Sequence, residues 1–194
     1  MTAELTAVLA AVTLGPFTLL AVRRTMHSLW LPGRAETAAI VALAGITPAL
    51  ATHDTRALMT LLPLTLLGPA AALVDAREAR LPDSLTAPLL GASLLMAAFS
   101  GPAGTRAVAL ATVVSGLAVV LAVLSTDLLG WGDVKLIPSL AIALAQVDAL
   151  LSGLFRIVTL VALTAALVGF RYRRAVVPYG PALVIGTLSV GVGL

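Results

Sequence analysis

Long apolar runs alternate along the chain with short breaks of charge, proline or glycine. The runs fall near residues 4–22, 36–52, 57–74, 84–99, 106–126, 133–147, 157–170 and 181–194, a pattern that predicts about eight helices. A helix needs about 20 apolar residues to cross a bilayer. The runs of 14 to 17 residues must therefore borrow flanking residues, meet a thinned bilayer or sit partly inside the bundle. The longest polar connection, at about residues 23–35, is too short for a soluble domain. The expected architecture is all-α: a polytopic membrane helix bundle, about eight transmembrane helices in one integral membrane domain over residues 1–194. Two helices at about 4–52 would precede a core at about 57–194. A faint echo between "LPDSL" at 81–85 and "IPSL" at 137–140 has too few matching positions to count as a repeat.

Composition agrees. Hydrophobic residues make up 60% of the 194 and charged residues 11%, with a mean hydropathy of +1.08, outside the range of soluble globular chains. Cysteine is absent, which removes disulfides, thiolate zinc sites and cysteine nucleophiles together. The net charge of +3 comes from basic residues scattered between apolar runs, not gathered in a stripe, so no nucleic-acid partner is expected. The first run has no basic residue before it and Arg23 and Arg24 after it, the reverse of a secretory signal, and reads as a retained span.

Orientation follows from arginine and lysine, which collect on the cytoplasmic side. With the N-terminus outside, the cytoplasmic segments hold nine of the twelve: Arg23, Arg24, Arg34, Arg77, Arg80, Lys135, Arg171, Arg173 and Arg174. The outer segments hold three, Arg56, Arg106 and Arg156. Trp30, Trp131, Tyr172 and Tyr179 then form an aromatic belt at cytoplasmic helix ends. Both acid-bearing segments, "VDAREARLPDSL" and "GWGDVKLIP", face the cytoplasm, and the helices between them run out and back.

Most of the nine acids have structural readings. Glu4, Glu36, Asp54 and Asp148 fall at helix ends or in loops, and Glu78 sits in a short basic loop as a solvated residue. Asp83 follows Pro82 and precedes a helix, where its carboxylate can cap the first N–H groups. Asp75 is reached through uninterrupted apolar sequence, "LTLLGPAAALVD", and has two readings. It is either a helix-end acid paired with Arg77 or Arg80, or a functional carboxylate at the membrane boundary, where such groups are costly. Asp133 starts a helix after Gly-Trp-Gly. There the helix dipole favours negative charge, and the glycines let backbone or substrate approach. Asp127, six residues earlier, reads as an exposed helix-end acid, and Lys135 as a lysine snorkelling to the interface. His27 and His53 are isolated and make no metal site or triad, and no phosphate-binding loop is present.

Two carboxylates held a few ångströms apart share a proton and titrate as a pair. One can take a proton from water while the other gives one to a carbonyl oxygen or a leaving amine. This chemistry needs no metal, cofactor, cysteine or histidine, and the cytoplasmic boundary supplies the water.

"GWGDVKL" at 130–136 resembles the Gly-x-Gly-Asp motif of the type IV prepilin peptidases. "VDAREARLPDSL" at 74–85 is similar to their first-aspartate segment, and "VPYGPAL" at 177–183 to the Pro-aromatic-Gly-Pro start of their last helix. The pieces occur in the family's order and cover the chain from about residue 57. The resemblance implies a bacterial cytoplasmic-membrane aspartic endopeptidase with its active site facing the cytoplasm. Its substrates would be prepilin or pseudopilin precursors, from which it removes a short basic leader. Asp75 and Asp133 would be the catalytic pair, supported by Gly130, Gly132, Lys135, Arg80, Pro82, Pro178, Gly180 and Pro181. Asp83 stands where Asn is commoner, Tyr179 where Phe is commoner, and Pro138 lies in a usually Gly-rich helix start. The loop that carries paired Cys-x-x-Cys motifs in bifunctional members is here "RRTMHSLWLPGRAE", short and free of cysteine. A cleavage-only peptidase without zinc is therefore expected, without the associated N-methyl transfer.

Three other readings compete. A presenilin-like or signal-peptide-peptidase-like protease would place Tyr before the first aspartate, where this chain has Val74. An ion- or proton-coupled transporter would carry its acids near mid-membrane, whereas both acids here lie towards one face. An inactive relative acting as an assembly scaffold would not require intact Asp75 and Asp133.

Overall fold

A computed structural model describes residues 16, 18, 20–22, 24, 25, 33, 55–78, 80–124, 129–172 and 179–191. These form six complete helices and no strand among the described residues: α1 (Thr55–Glu78), α2 (Asp83–Phe99), α3 (Pro102–Leu124), α4 (Trp131–Gln146), α5 (Leu150–Tyr172) and α6 (Gly180–Gly191). Residues 16, 18, 20–22, 24 and 25 belong to a further, N-terminal helical segment. The helix expected at 36–52 lies outside the described residues, as do Glu4, His27, Trp30, Glu36, His53, Asp54, Asp127 and Pro178.

The chain is all-helical where described, and three helices are long and apolar enough to cross a membrane: α1, α3 and α5. An eight-span count does not follow. α2 is a shorter apolar helix, as is α6 over Gly180–Val190. The 16-residue α4 is an interior element, with ten of its residues buried. Depth in the bundle separates the long helices: 61% of the apolar window of α1 is buried, against 22% for α3 and 11% for α5. α1 is thus a central helix, while α3 and α5 present Val113, Leu117, Val123, Phe155, Val158 and Leu167 outward.

The principal core gathers Leu64, Val74, Leu81, Leu85, Leu89, Leu136, Leu140, Leu144, Leu183, Val184 and Leu188 from α1, α2, α4, α6 and the α1–α2 connection. α3 contributes instead a stripe of small buried residues, Gly104, Ala107, Ala111, Ala118 and Ala122. Their spacing of three, four or seven residues puts them on one helix face, against which α4 packs closely. The α2–α3 hairpin turns at Gly101, whose φ of +59° suits glycine, and Gly104 then lies so close to the Ala97 carbonyl that no side chain fits. The α4–α5 turn places Asp148 at φ 53°, a left-handed conformation that Asp tolerates better than most residues.

Several boundaries differ from the hydropathy reading. The helix expected at 57–74 continues through Glu78, so Asp75 lies inside it instead of just past its end. The helix expected at 157–170 begins at Leu150. Arg156 therefore sits within α5, not in an outer loop, and its guanidinium donates to the Ser189 carbonyl at 2.9 Å. That bond meets the cost of a charged group on an apolar helix by reaching a backbone carbonyl near the end of α6. Arg106 likewise falls in the first turns of α3. The helices expected at 106–126 and 181–194 end at Leu124 and Gly191 among the described residues.

Candidate active site

The end of α1 and the starts of α4 and α6 meet at one end of the bundle. Asp75 lies one turn before the end of α1, on a face whose neighbours Ala71, Ala72 and Val74 are buried, and it is itself only 6% exposed. α6 packs along α1 and starts beside it. The Gly180 N–H donates to Asp75 Oδ2 at 2.8 Å in a buried contact between residues 105 positions apart. A Cβ on Gly180 would lie 2.8 Å from Asp75 Cβ, 2.8 Å from Oδ2 and 3.0 Å from Cγ. Glycine is required here by proximity, since the backbone of residue 180 is ordinary helix. An N–H in the first turn of a helix has no intrahelical acceptor, so Asp75 satisfies a donor that would otherwise be orphaned, at the positive end of the helix dipole.

Asp133 is the third residue of α4, after Gly130 as N-cap in extended conformation (φ −70°, ψ 146°), and not its first residue. The helix starts two residues earlier because the Gly130 carbonyl already accepts from the Val134 N–H at 3.1 Å. Asp133 is 7% exposed and close enough to Asp75 for the two carboxylates to repel each other when charged. Its Oδ1 is buried with no hydrogen-bond partner among the described residues. The two acids thus differ: Asp75 is held by an amide from a distant helix, while the amide beside Asp133 is that of Gly130 in its own turn and its Oδ1 has no partner among the described residues.

The glycines beside Asp133 have separable roles. A Cβ on Gly130 would sit 3.3 Å from Asp133 Oδ2. A Cβ on Gly132 would sit 3.1 Å from Leu81 Cβ and 3.2 Å from Leu81 N. The close approach at Gly132 is therefore by the backbone of the α1–α2 connection.

Asp83 does not cap α2 with its side chain. Pro82 is the N-cap, its carbonyl accepting from Leu85 N and Thr86 N at 3.0 and 3.2 Å, and Asp83 is the first helical residue. The Asp83 carboxylate instead accepts from Lys135 Nζ at 2.6 Å, so Lys135 is an ion-pair partner and not a free snorkelling lysine. Glu78 pairs with Arg80 Nε at 2.7 Å and keeps only 14% of its side chain exposed, so it is not simply solvated. Arg80 also donates to the Thr25 carbonyl at 3.3 Å, tying the connection to the N-terminal segment. The acid that Arg80 pairs with is thus Glu78 and not Asp75, whose carboxylate accepts from Gly180 instead. Pro181 is half-buried in the first turn of α6, a position where the missing N–H costs nothing. Tyr179 precedes α6, its carbonyl accepting from Leu183 N at 3.0 Å, and its ring packs on the principal core. Trp131 is 57% exposed at the rim.

Gly180 was legible only as part of a motif; that its amide meets Asp75 required the tertiary fold. The Lys135–Asp83 pair was missed, since no local pattern links residues 52 positions apart.

The model of the type IV leader peptidase family matches residues 60–172, which span α1 from its second turn through the end of α5 and include both aspartates. The chain belongs to the type IV leader peptidase family. No curated protein and no solved structure matches it. With its three membrane-length helices, this leader peptidase family member is an integral membrane protein.

Proposed function

We propose that this family member is a membrane-embedded aspartic endopeptidase in which Asp75 and Asp133 form the catalytic dyad. The observation that carries the reading is the meeting of two buried carboxyls from α1 and α4, with Asp75 oriented by the Gly180 amide. The dyad works with a single shared proton. One carboxylate takes a proton from a water molecule as its oxygen attacks the scissile carbonyl carbon, and the partner carboxylic acid gives its proton to the carbonyl oxygen. In the tetrahedral intermediate the carbon–nitrogen bond then breaks as the protonated carboxyl gives its proton to the leaving nitrogen and a hydroxyl of the intermediate returns one to the other carboxylate, so the dyad again holds one proton. Burial strengthens each interaction by excluding bulk water.

The substrates under this reading are type IV pilin-like or pseudopilin precursors, cut on the cytoplasmic side of their hydrophobic segment in the bacterial cytoplasmic membrane. The family supports the substrate class, and the distribution of arginine and lysine supports the orientation. Among the described cations, Arg24, Arg77, Arg80, Lys135 and Arg171 lie towards the dyad end of the bundle, while Arg56, Arg106 and Arg156 lie near the starts of α1, α3 and α5 at the other. The chain would act as one membrane domain, without zinc or another cofactor.

The test is co-expression with a prepilin-type precursor, following leader removal by mobility and by sequencing of the new N-terminus. Cleavage at one site between leader and apolar helix is expected. Absence of cleavage for every precursor tried, with acid-dependent ion flux in its place, would transfer the site to the transporter reading.

A further inference from the structure

The site fixes its two carboxyls by different means. Asp75 accepts from the Gly180 amide, 105 residues away, whereas Asp133 Oδ1 has no partner among the described residues and the backbone amide beside its carboxyl, that of Gly130, belongs to its own turn. The placement of Asp133 therefore depends on the backbone of the first turn of α4, and something must hold that turn in register with α1. Resting on the dyad reading, we propose that the Lys135–Asp83 ion pair, together with the seating of Gly132 on Leu81, is a clasp that positions Asp133 against Asp75.

The connection from α1 to α2 is four residues, 79–82, and Asp75 is four residues before its start. Whatever grips this connection grips the end of the helix that carries Asp75. Leu81 is 6% exposed and part of the principal core, so the connection is anchored from below. On α4, Gly132 and Lys135 are three residues apart and lie on one face. Gly132 meets the Leu81 backbone, with its notional Cβ 3.2 Å from Leu81 N, and Lys135 Nζ reaches Asp83 Oδ1 at 2.6 Å one residue beyond Pro82. Asp133 is turned about 100° from Gly132 and about 200° from Lys135 around the helix axis, so it projects away from the clasped face. One face of the turn thus holds the α1–α2 connection while another presents the carboxyl to Asp75.

Exposure separates positioning from folding. The side chains of Lys135 and Asp83 are 50% and 72% exposed, and ion pairs so placed contribute little to stability. Their loss should be read in the rate of the chemical step, which is sensitive to displacements of a fraction of an ångström, and not in melting.

The experiment compares Lys135→Gln, Asp83→Asn and the exchanged pair Asp83→Lys with Lys135→Glu in the full chain, using a precursor that the wild type cleaves. Each single variant is expected to lower kcat by about threefold to fivefold, the ceiling for an exposed pair. KM should stay within about twofold and the melting midpoint should not move, while the exchanged pair should recover most of kcat. Because the chain has no cysteine, spin labels at Ser84→Cys and Trp131→Cys can report the α2–α4 separation without substrate. The distance distribution should broaden in Lys135→Gln and sharpen again in the exchanged pair. Unchanged kcat with unchanged distances overturns the proposal. So does an exchanged pair no better than its single variants, or a change confined to KM, which would mean that the pair touches substrate. If the wild type cleaves nothing, the peptidase reading fails, and the spin-label distances alone still decide whether the clasp exists.

Discussion

Replacing Gly180 with alanine adds one methyl group at the tightest contact to Asp75. The new Cβ would lie 2.8 Å from both Asp75 Cβ and Oδ2, whereas ordinary contacts begin near 3.4 Å, so the two groups must part by at least 0.6 Å. Applied to the Gly180 N–H···Oδ2 bond of 2.8 Å, that displacement stretches it to about 3.4 Å, past the useful range for an N–H donor. A hydrogen bond to a charged acceptor is worth about 1.5–3 kcal/mol, which corresponds to about tenfold to 150-fold in rate if it is lost only where the chemistry needs it. Misplacement of a catalytic group by about 1 Å carries a similar penalty, about a hundredfold. Gly180→Ala should therefore reduce kcat for precursor cleavage by one to two orders of magnitude on these estimates, with KM little changed. Gly180 is the first residue of α6 and alanine is the best helix former, so helix content should be retained. Initial rates in detergent over a range of precursor concentrations separate kcat from KM, with circular dichroism as the folding control. Gly116→Ala is the matched comparison, because nothing lies within 4 Å of its notional Cβ. Wild-type kcat in Gly180→Ala would refute the claim that this amide orients Asp75. An equal loss in Gly116→Ala would show that added methyl groups merely disturb the bundle.

The other glycines should rank by the hardness of what their Cβ would meet. Gly132→Ala, against Leu81 N at 3.2 Å, should lower kcat by roughly tenfold, and Gly130→Ala, against the Asp133 carboxylate at 3.3 Å, by less; the reverse order in the same cleavage assay would contradict the packing described. Gln146 is 3% exposed and neither its amide nitrogen nor its amide oxygen has a partner among the described residues. Gln146→Leu should raise the thermal midpoint, removing a desolvation cost of about 1–3 kcal/mol, and leave cleavage unaltered, since α4 carries Gln146 at the end opposite Asp133; a lowered midpoint would mean that the amide is bonded in the membrane.

The sequence carried the helical character of the chain because a membrane allows few other solutions for backbone polar groups. Helix ends were less legible where a single charged residue interrupted an apolar run. Arg156 made α5 look as if it began seven residues late, at 157 instead of Leu150, since its bond to the Ser189 carbonyl cannot be read from hydropathy. Asp75 was similarly set just past a helix that in fact continues to Glu78, because burial against α6 lets the helix carry an acid. Asp75 and Asp133 could be singled out because a carboxylate beside apolar sequence or between glycines is locally anomalous. What surrounds them could not. The Gly180 contact spans 105 residues and the Lys135–Asp83 pair spans 52, and both depend on which helix ends converge. Asp83 shows the limit of local reasoning: a residue placed to cap its own helix turned instead to a lysine on another.

The most direct test of the account is the cleavage rate of a prepilin-type precursor by Asp75→Asn, Asp133→Asn and the double variant, each confirmed folded in membranes. Groups that act as one unit are not additive. Each single variant should lose activity to the background level, and the double variant should be no worse than either. Measurable cleavage by either single variant at a rate near that of the wild type would contradict the dyad.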